Sequence, residues 1–182
     1  MTGSTANPRV WLNGDVYAGP VGTTAPTDTS TALDTAFKAL GLLSEDGTEE
    51  TRDDDTAEFY ARGGLLIRTS KSKHKRQIKV TVLEDNPVVQ GLINPGSTAT
   101  TSTGTTTRSV KVPTANPMAF VIEDRDGSYV TRKSIARGEV IEVGPEKRGP
   151  EMTMRELTIV VYPSAAGVLY TEITTDPAAV VS

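Results

Sequence analysis

The 182-residue chain contains no cysteine and only one histidine. The missing thiols exclude disulfides, cysteine nucleophiles and the usual structural zinc sites. His74, which any Ser-His-Asp arrangement would need, lies in the basic stretch SKSKHKR, with no acid nearby in sequence to orient it. Neither Gly-x-Gly-x-x-Gly nor the Walker pattern occurs, so no phosphate-binding loop is expected. We therefore predict no catalytic site and no cofactor, and we expect His74 in a solvated loop.

Asp53, Asp54 and Asp55 form the acidic cluster most similar to a metal site, because calcium binds clustered carboxylates. On a strand, however, neighbouring side chains point to opposite faces, and the ordered Asp-x-Asp-x-Asp-Gly loop is absent. A charge run that is solvated or lies in an interface explains the cluster better. No metal site is predicted.

Aromatic residues and long apolar runs are also scarce. One tryptophan, five tyrosines and three phenylalanines offer little surface for stacking on bases, and a net charge of −4 disfavours binding to phosphates. No apolar run approaches the roughly 18–20 residues that span a bilayer. The N-terminus lacks a basic region followed by an apolar core. We expect a soluble protein with no membrane contact, no specific nucleic-acid binding, and a single domain over residues 1–182.

Threonine and valine are plentiful while leucine and phenylalanine are sparse, which favours strands over helices. The clearest case is residues 75–84, where Ile78, Val80 and Val82 alternate with polar residues, as in a half-buried strand. Residues 70–74 would join it to the preceding strand as a hairpin loop. The predicted strands are residues 10–12, 16–18, 57–69, 75–84, 110–112, 118–123, 129–135, 138–143, 154–162 and 167–173. They predict a mainly β fold, an antiparallel sandwich or open barrel with one or two short flanking helices.

Two helices and two irregular segments complete the predicted organisation. Residues 31–42 carry Leu33, Phe37 and Leu40 at helical spacing. A second helix has Asp85 or Asn86 as its cap and Pro87 at its first position, and it ends before residues 94–96. Residues 1–30 are expected to be an N-terminal arm with a turn at residues 13–14. Residues 97–107, all Ser, Thr, Ala or Gly, are expected to be a flexible loop.

Charge is distributed in two adjacent runs of opposite sign. Residues 45–58 contain eight acids and one arginine, and residues 68–79 contain six bases, one histidine and no acid. Surfaces of opposite charge are suitable partners in a subunit interface. The candidate interface residues are Glu45, Asp46, Glu49, Glu50, Asp53, Asp54, Asp55, Arg68, Lys71, Lys73, Lys75 and Arg76.

The order of several stretches resembles the tail tube proteins, or major tail proteins, of long-tailed bacteriophages with non-contractile tails. The stretches are VWLNGDVYAGPVGTTAPTD, FKALGLLSEDGTEETRDDD, FYARGGLLIRTSKS, IKVTVLEDNPVVQGLI and PMAFVIEDRDGSYVTRKSIARGEV. The resemblance implies a non-enzymatic virion protein that is assembled in the host cytoplasm. It also implies that six copies close into a ring and that rings stack head-to-tail into a tube. Double-stranded DNA would pass through without specific binding, and a tape measure protein and tail end proteins would be partners.

Two hypotheses about contacts follow. Residues 45–55 of one subunit are expected to face residues 68–76 of a neighbour, within or between rings. The channel is expected to be lined by one face of residues 57–69 and of residues 129–137, with the basic hairpin loop directed away from DNA. The alternative function is a non-catalytic β-sandwich binding or adhesion module, which would also lack catalytic residues. A hydrolase with an unfamiliar site is the third possibility, which the single histidine disfavours.

Overall fold

The computed structural model describes residues 8–146, 148–150 and 152–176. The strands are β1 (Asn13–Pro20), β2 (Lys38–Ala39), β3 (Leu43–Tyr60), β4 (Leu66–Val82), β5 (Thr98–Ser102), β6 (Thr105–Ser109), β7 (Met118–Asp126), β8 (Tyr129–Val143), β9 (Arg155–Val161) and β10 (Thr171–Thr175). One helix, α1 (Pro87–Ile93), lies between β4 and β5.

Eight strands form one antiparallel sheet in the order β2-β1-β7-β8-β9-β4-β3, with β10 paired to β8. Strand β8 is shared between two neighbours on one edge: residues 130–134 pair with β10 and residues 138–143 pair with β9. Strands β5 and β6 form a separate two-stranded hairpin.

The sheet curls around its main core. Val16 from β1 and Val80 from β4 are far apart in the strand order, yet both belong to the same buried cluster as Phe120 of β7. Between them, the Leu40 amide donates to the Val16 carbonyl at 2.8 Å, and the Leu83 amide donates to the Leu42 carbonyl at 2.9 Å. The result is an open antiparallel barrel, as the composition and spacing predict.

Helix α1 covers one end of this barrel. The Asn86 side chain accepts hydrogen bonds from the amides of Val88 and Val89, both at 3.0 Å, and Pro87 occupies the first turn. Val89 and Leu92 are buried in the core. The predicted cap, start and end of this helix are confirmed.

The outer face of the sheet is covered by the segment before β2. Leu33 and Phe37 pack on Val121, which faces away from the main core. The guanidinium of Arg132 pairs with the buried carboxylate of Glu123 and donates to the carbonyls of residues 28 and 31 at 2.9 and 2.7 Å. An ion pair on the sheet therefore holds this segment against it.

The predicted helix over residues 31–42 is wrong. The Asp28 carboxylate accepts from the Ser30 and Thr31 amides, and the Asp34 carboxylate accepts from the Ala36 amide at 2.9 Å. Such side-chain bonds compete with helical ones. The apolar residues instead pack on two sides of the sheet, since Phe37 packs on the outer face while Leu40 enters the core.

The predicted strand over residues 57–69 is also wrong, because the chain reverses in its middle. Gly63 and Gly64 have φ angles of +102° and +85°, which glycine adopts at little cost. The Ala61 amide donates to the Leu65 carbonyl at 2.8 Å and closes the turn. Residues 70–74, predicted as the hairpin loop, lie inside β4, and His74 is therefore a strand residue.

Several smaller predictions are corrected. Residues 10–12 and 110–112 are not strands, and the predicted turn at residues 13–14 is the start of β1, which pairs with β7. Residues 13–20 of the expected N-terminal arm thus form a strand whose Val16 and Ala18 are buried in the core, while residues 1–7 lie outside the described residues. Residues 129–143 form one strand, and the turn at Gly127 is confirmed. Residues 97–107 contain most of the β5–β6 hairpin, which suits threonine-rich sequence and turns at Thr103 and Gly104 with φ of +50° and +77°.

Candidate assembly surfaces

The most prominent surface feature is the outer part of the β3–β4 hairpin. Strand β4 pairs with β9 only from Arg76 to Val82. Residues 53–75, which we call the projecting hairpin, therefore pair only with each other among the described strands. Eight paired positions at about 3.3 Å each carry the turn roughly 25 Å beyond the barrel.

The end of the projecting hairpin is apolar and uncovered. Its exposed side chains are Phe59, Tyr60, Leu65, Leu66 and Ile67. Their exposed fractions run from 47% to 72%, although such residues usually lie in a core. Apolar groups clustered on a surface mark an interaction site. Sequence reasoning missed this group because it assigned residues 57–69 to one strand, and the Gly63-Gly64 pair is the signal for the turn.

The strands give the subunit two ends. At the helix pole, β4 ends at Val82, β8 ends at Val143 and β7 begins at Met118. At the hairpin pole lie the projecting hairpin and the turn between β7 and β8. Because β4 and β8 run in the same direction, these two poles face opposite ways along the strands.

Exposed large apolar side chains are concentrated at these poles. The hairpin pole carries the five at the tip together with Val10, Trp11 and Leu12, whose stretch lies beside the β7–β8 turn. The helix pole carries Val21, Leu42, Val110, Val112, Ile141, Val143, Met152 and Met154. Within the described ranges, only Val168 lies outside both groups.

Two clefts lie at the helix pole. The larger, about 350 Å³, is bounded by the end of α1, by residues 113–116 and by residues 139–143 of β8. The smaller, about 250 Å³, lies on the other side of Leu92 and Asn116, against the ends of β1 and β7. The helix pole therefore offers concave apolar surface, and the hairpin pole offers a convex apolar tip.

A family model of phage tail tube proteins matches residues 1–179. The chain belongs to the phage tail tube protein family. The family assigns it a structural role in the tail of the virion, and no enzymatic activity is part of that role. No curated protein sequence matches the chain.

Solved structures share the tail tube protein's fold at low sequence identity. A chain in the cryo-EM structure of the PVC sheath-tube complex, from an extracellular contractile injection system, matches with a TM-score of 0.52 and 9% identity. The match covers 96% of this chain and 100% of that one. A chain in the structure of the anti-feeding prophage cap matches with a TM-score of 0.53, 10% identity, and coverage of 96% and 97%.

The charge runs of the tail tube protein meet across the strands of the projecting hairpin. Asp53 lies opposite Lys75, and Lys73 Nζ is 2.9 Å from the Asp55 carboxylate. Asp54 contacts His74, so an acid that is distant in sequence does orient the histidine. Hydrogen bonds from Arg52 and then from His74 lower the pKa of Asp54 to about 2. The pair between Lys73 and Asp55 is exposed, and exposed ion pairs contribute little to stability.

Glu50 and Arg76, at the base of this hairpin, are engaged inside the subunit. The Glu50 carboxylate accepts from Arg76, from Lys133 Nζ at 2.9 Å and from the Tyr170 hydroxyl at 2.9 Å. It thereby ties β3 to β4, to β8 and to the loop before β10. Burial opposes ionisation of Glu50, but the hydrogen bonds from Lys133 and Tyr170 and the Lys133 charge outweigh it and lower its pKa.

The other candidate interface residues are available on the surface, except for Asp54, which is half-buried. The exposed ones are Glu45, Asp46, Glu49, Asp53, Asp55, Arg68, Lys71, Lys73 and Lys75. Residues 129–137, expected to line the channel, are largely covered, since Thr131, Arg132, Ser134 and Ile135 are buried. Among the described residues, no group of three potential ligands is placed to hold a metal ion, and no helix is long and apolar enough to cross a membrane.

Proposed function

We propose that six copies of this tail tube protein close into a ring and that the rings stack head-to-tail into the tube through which the genome passes. The observation that carries the proposal is that a projecting apolar tip lies at one pole while two clefts with exposed apolar side chains lie at the other. Two different surfaces that fit each other form a heterologous contact, which repeats without limit along an axis. A monomer would leave both surfaces in water.

Ring closure is supported by the open edges of the sheet. Strand β3 is the last strand in the sheet order, so its outer edge has no partner among the described strands. Exposed strand edges tend to pair with other chains, and closure of a ring satisfies them while ending growth within the ring. The exposed members of the two charge runs lie on this hairpin and on the adjoining part of β3, where they would face a neighbouring subunit.

The tube's other partners follow from the same role. A net charge of −4 suits a wall that lets DNA pass without gripping its phosphates. We propose that a tape measure protein occupies the channel during assembly in the host cytoplasm and that tail end proteins cover the terminal rings. The chain would act as one domain over residues 1–182.

Electron microscopy of the purified chain at high concentration tests the proposal. Hollow tubes with six-fold symmetry in end views are the expected result, because the two poles of one chain supply both halves of the stacking contact. Persistent monomers would contradict it and would favour the non-catalytic binding or adhesion module. A Lys71→Glu, Lys73→Glu, Lys75→Glu variant on the same grids should give fewer and shorter tubes. Normal tube length and a normal assembly rate in that variant would refute the proposed role of the charge runs but not the tube itself.

A further inference from the structure

The larger cleft at the helix pole, here called the helix cleft, is lined by both apolar and polar groups, and one of the polar groups is a fixed acid. Ile141 and Val143 line it and are 50% and 36% exposed. Glu139 also lines it, and its two carboxylate oxygens accept from the Asn116 amide at 2.8 Å and the Tyr162 hydroxyl at 3.0 Å. Both donors are neutral, and Glu139 takes part in none of the ion pairs of the described chain. The cleft therefore keeps a negative charge at a defined position.

The tip of the projecting hairpin has the complementary character. Arg62 lies in its turn and Arg68 lies opposite Phe59, and neither forms an ion pair within the described ranges. Both flank the exposed residues 65–67. An apolar tip with arginines beside it fits a cleft that combines apolar side chains with a carboxylate, because an arginine-carboxylate pair is among the stronger hydrogen-bonded contacts.

The tip cannot reach the helix cleft of its own subunit. Residues 76–82 of β4 separate the base of the projecting hairpin from the helix pole, and the hairpin points away from that pole. Its turn also lies roughly 25 Å beyond the barrel. The occupant that the cleft fits is therefore the tip of a second copy, approaching from the side of the helix pole.

We propose that the hairpin tip of one subunit seats in the helix cleft of a subunit in the next ring. Leu65, Leu66 and Ile67 pack against Ile141 and Val143, and an arginine of the tip pairs with Glu139. This assignment rests on the proposed tube, and it names the surface that receives the hairpin. Because the tip and the cleft lie on opposite poles, each subunit gives one such contact and receives one, which fixes the polarity of the tube.

Cysteine cross-linking tests the assignment without cross-links at native residues, because the native chain has no cysteine. The test variant carries Leu65→Cys and Ile141→Cys, and tubes are treated with a short bis-maleimide linker before denaturing electrophoresis. The matched control carries Leu65→Cys and Val168→Cys, since Val168 is as exposed as Ile141, at 50%, but belongs to neither pole. All three positions are exposed, so both variants are expected to fold.

The expected result is a ladder of covalent oligomers beyond the dimer for the tip-and-cleft pair, and none for the control pair. Each subunit can then be linked at both poles, whereas Leu65→Cys alone gives at most dimers. If both variants form tubes by electron microscopy but the test pair gives no ladder, or the control pair gives an equal one, the assignment is overturned and the tube remains. If the native chain itself forms no tubes, the proposed function is refuted, and the contact assignment falls with it.

Discussion

Strand β4 is built from two halves with opposite relations to the core. In residues 76–82 alternate side chains are buried, and Ile78, Val80 and Val82 are each at most 2% exposed. In residues 66–75 no side chain is buried, although the backbone continues in the same strand and the same pairing with β3. Residues 76–82 are thus held in place by the folding of one subunit. Residues 66–75 have no partner that buries them within the described part of the chain.

The two halves also differ in what holds them. The barrel half is held by burial of apolar surface, at about 25 cal/mol per Å². The projecting half is held by cross-strand pairs worth roughly 0.2–1 kcal/mol each, and an isolated hairpin is marginally stable in water. Stability of the subunit and stability of the tube should therefore respond to different residues.

The largest difference in the cost to subunit stability is expected between substitutions of two phenylalanines. Phe120→Ala removes a fully buried ring from the core and should cost about 3–5 kcal/mol of unfolding free energy. Phe59→Ala removes a ring that is 54% exposed on the projecting hairpin and should change the stability of the unassembled subunit by less than about 0.5 kcal/mol. Urea unfolding at a concentration too low for assembly measures both. Equal costs would mean that the hairpin belongs to the folded core.

A smaller difference in the cost to subunit stability is expected between substitutions of two acidic residues. Glu50→Gln weakens a half-buried set of hydrogen bonds to charged partners and should cost about 1–3 kcal/mol. Asp55→Asn removes an exposed pair with Lys73 and should leave the unfolding midpoint unchanged.

The stabilising contribution of Glu50 should depend on pH. Because folding lowers the pKa of Glu50, its contribution is present above the unfolded value of about 4.3 and is lost as pH falls through the folded pKa. The difference between native and Glu50→Gln proteins should therefore shrink in acid. A difference that is constant down to pH 2 would contradict this role for Glu50.

The parts that sequence predicts are those governed by local rules. Asn86 and Pro87 define the start of α1 through capping, and the alternation of Ile78, Val80 and Val82 defines a strand whose two faces differ. Residues 31–42 were mispredicted because helical spacing cannot reveal that Phe37 and Leu40 pack on opposite sides of a sheet.

The candidate site was predictable in part. The two charge runs are adjacent in sequence, and they do come together, but they do so across the strands of one subunit. Whether they also contact a neighbour stays a prediction. The apolar tip was missed because residues 57–69 were assigned to one strand, whereas the turn at Gly63 and Gly64 places Leu65, Leu66 and Ile67 at the exposed end of a hairpin. Contacts between subunits leave no periodic signal in a single sequence.

We propose that the projecting tip drives assembly and contributes little to folding. Sedimentation of a Leu65→Ser, Leu66→Ser, Ile67→Ser variant tests it, with Val168→Ser as the control for loss of an exposed apolar side chain outside both poles. We expect the triple variant to stay in the supernatant as a folded subunit with a native melting temperature, while the control pellets as tubes. Tubes of normal yield and length from the triple variant would show that the tip does not drive assembly.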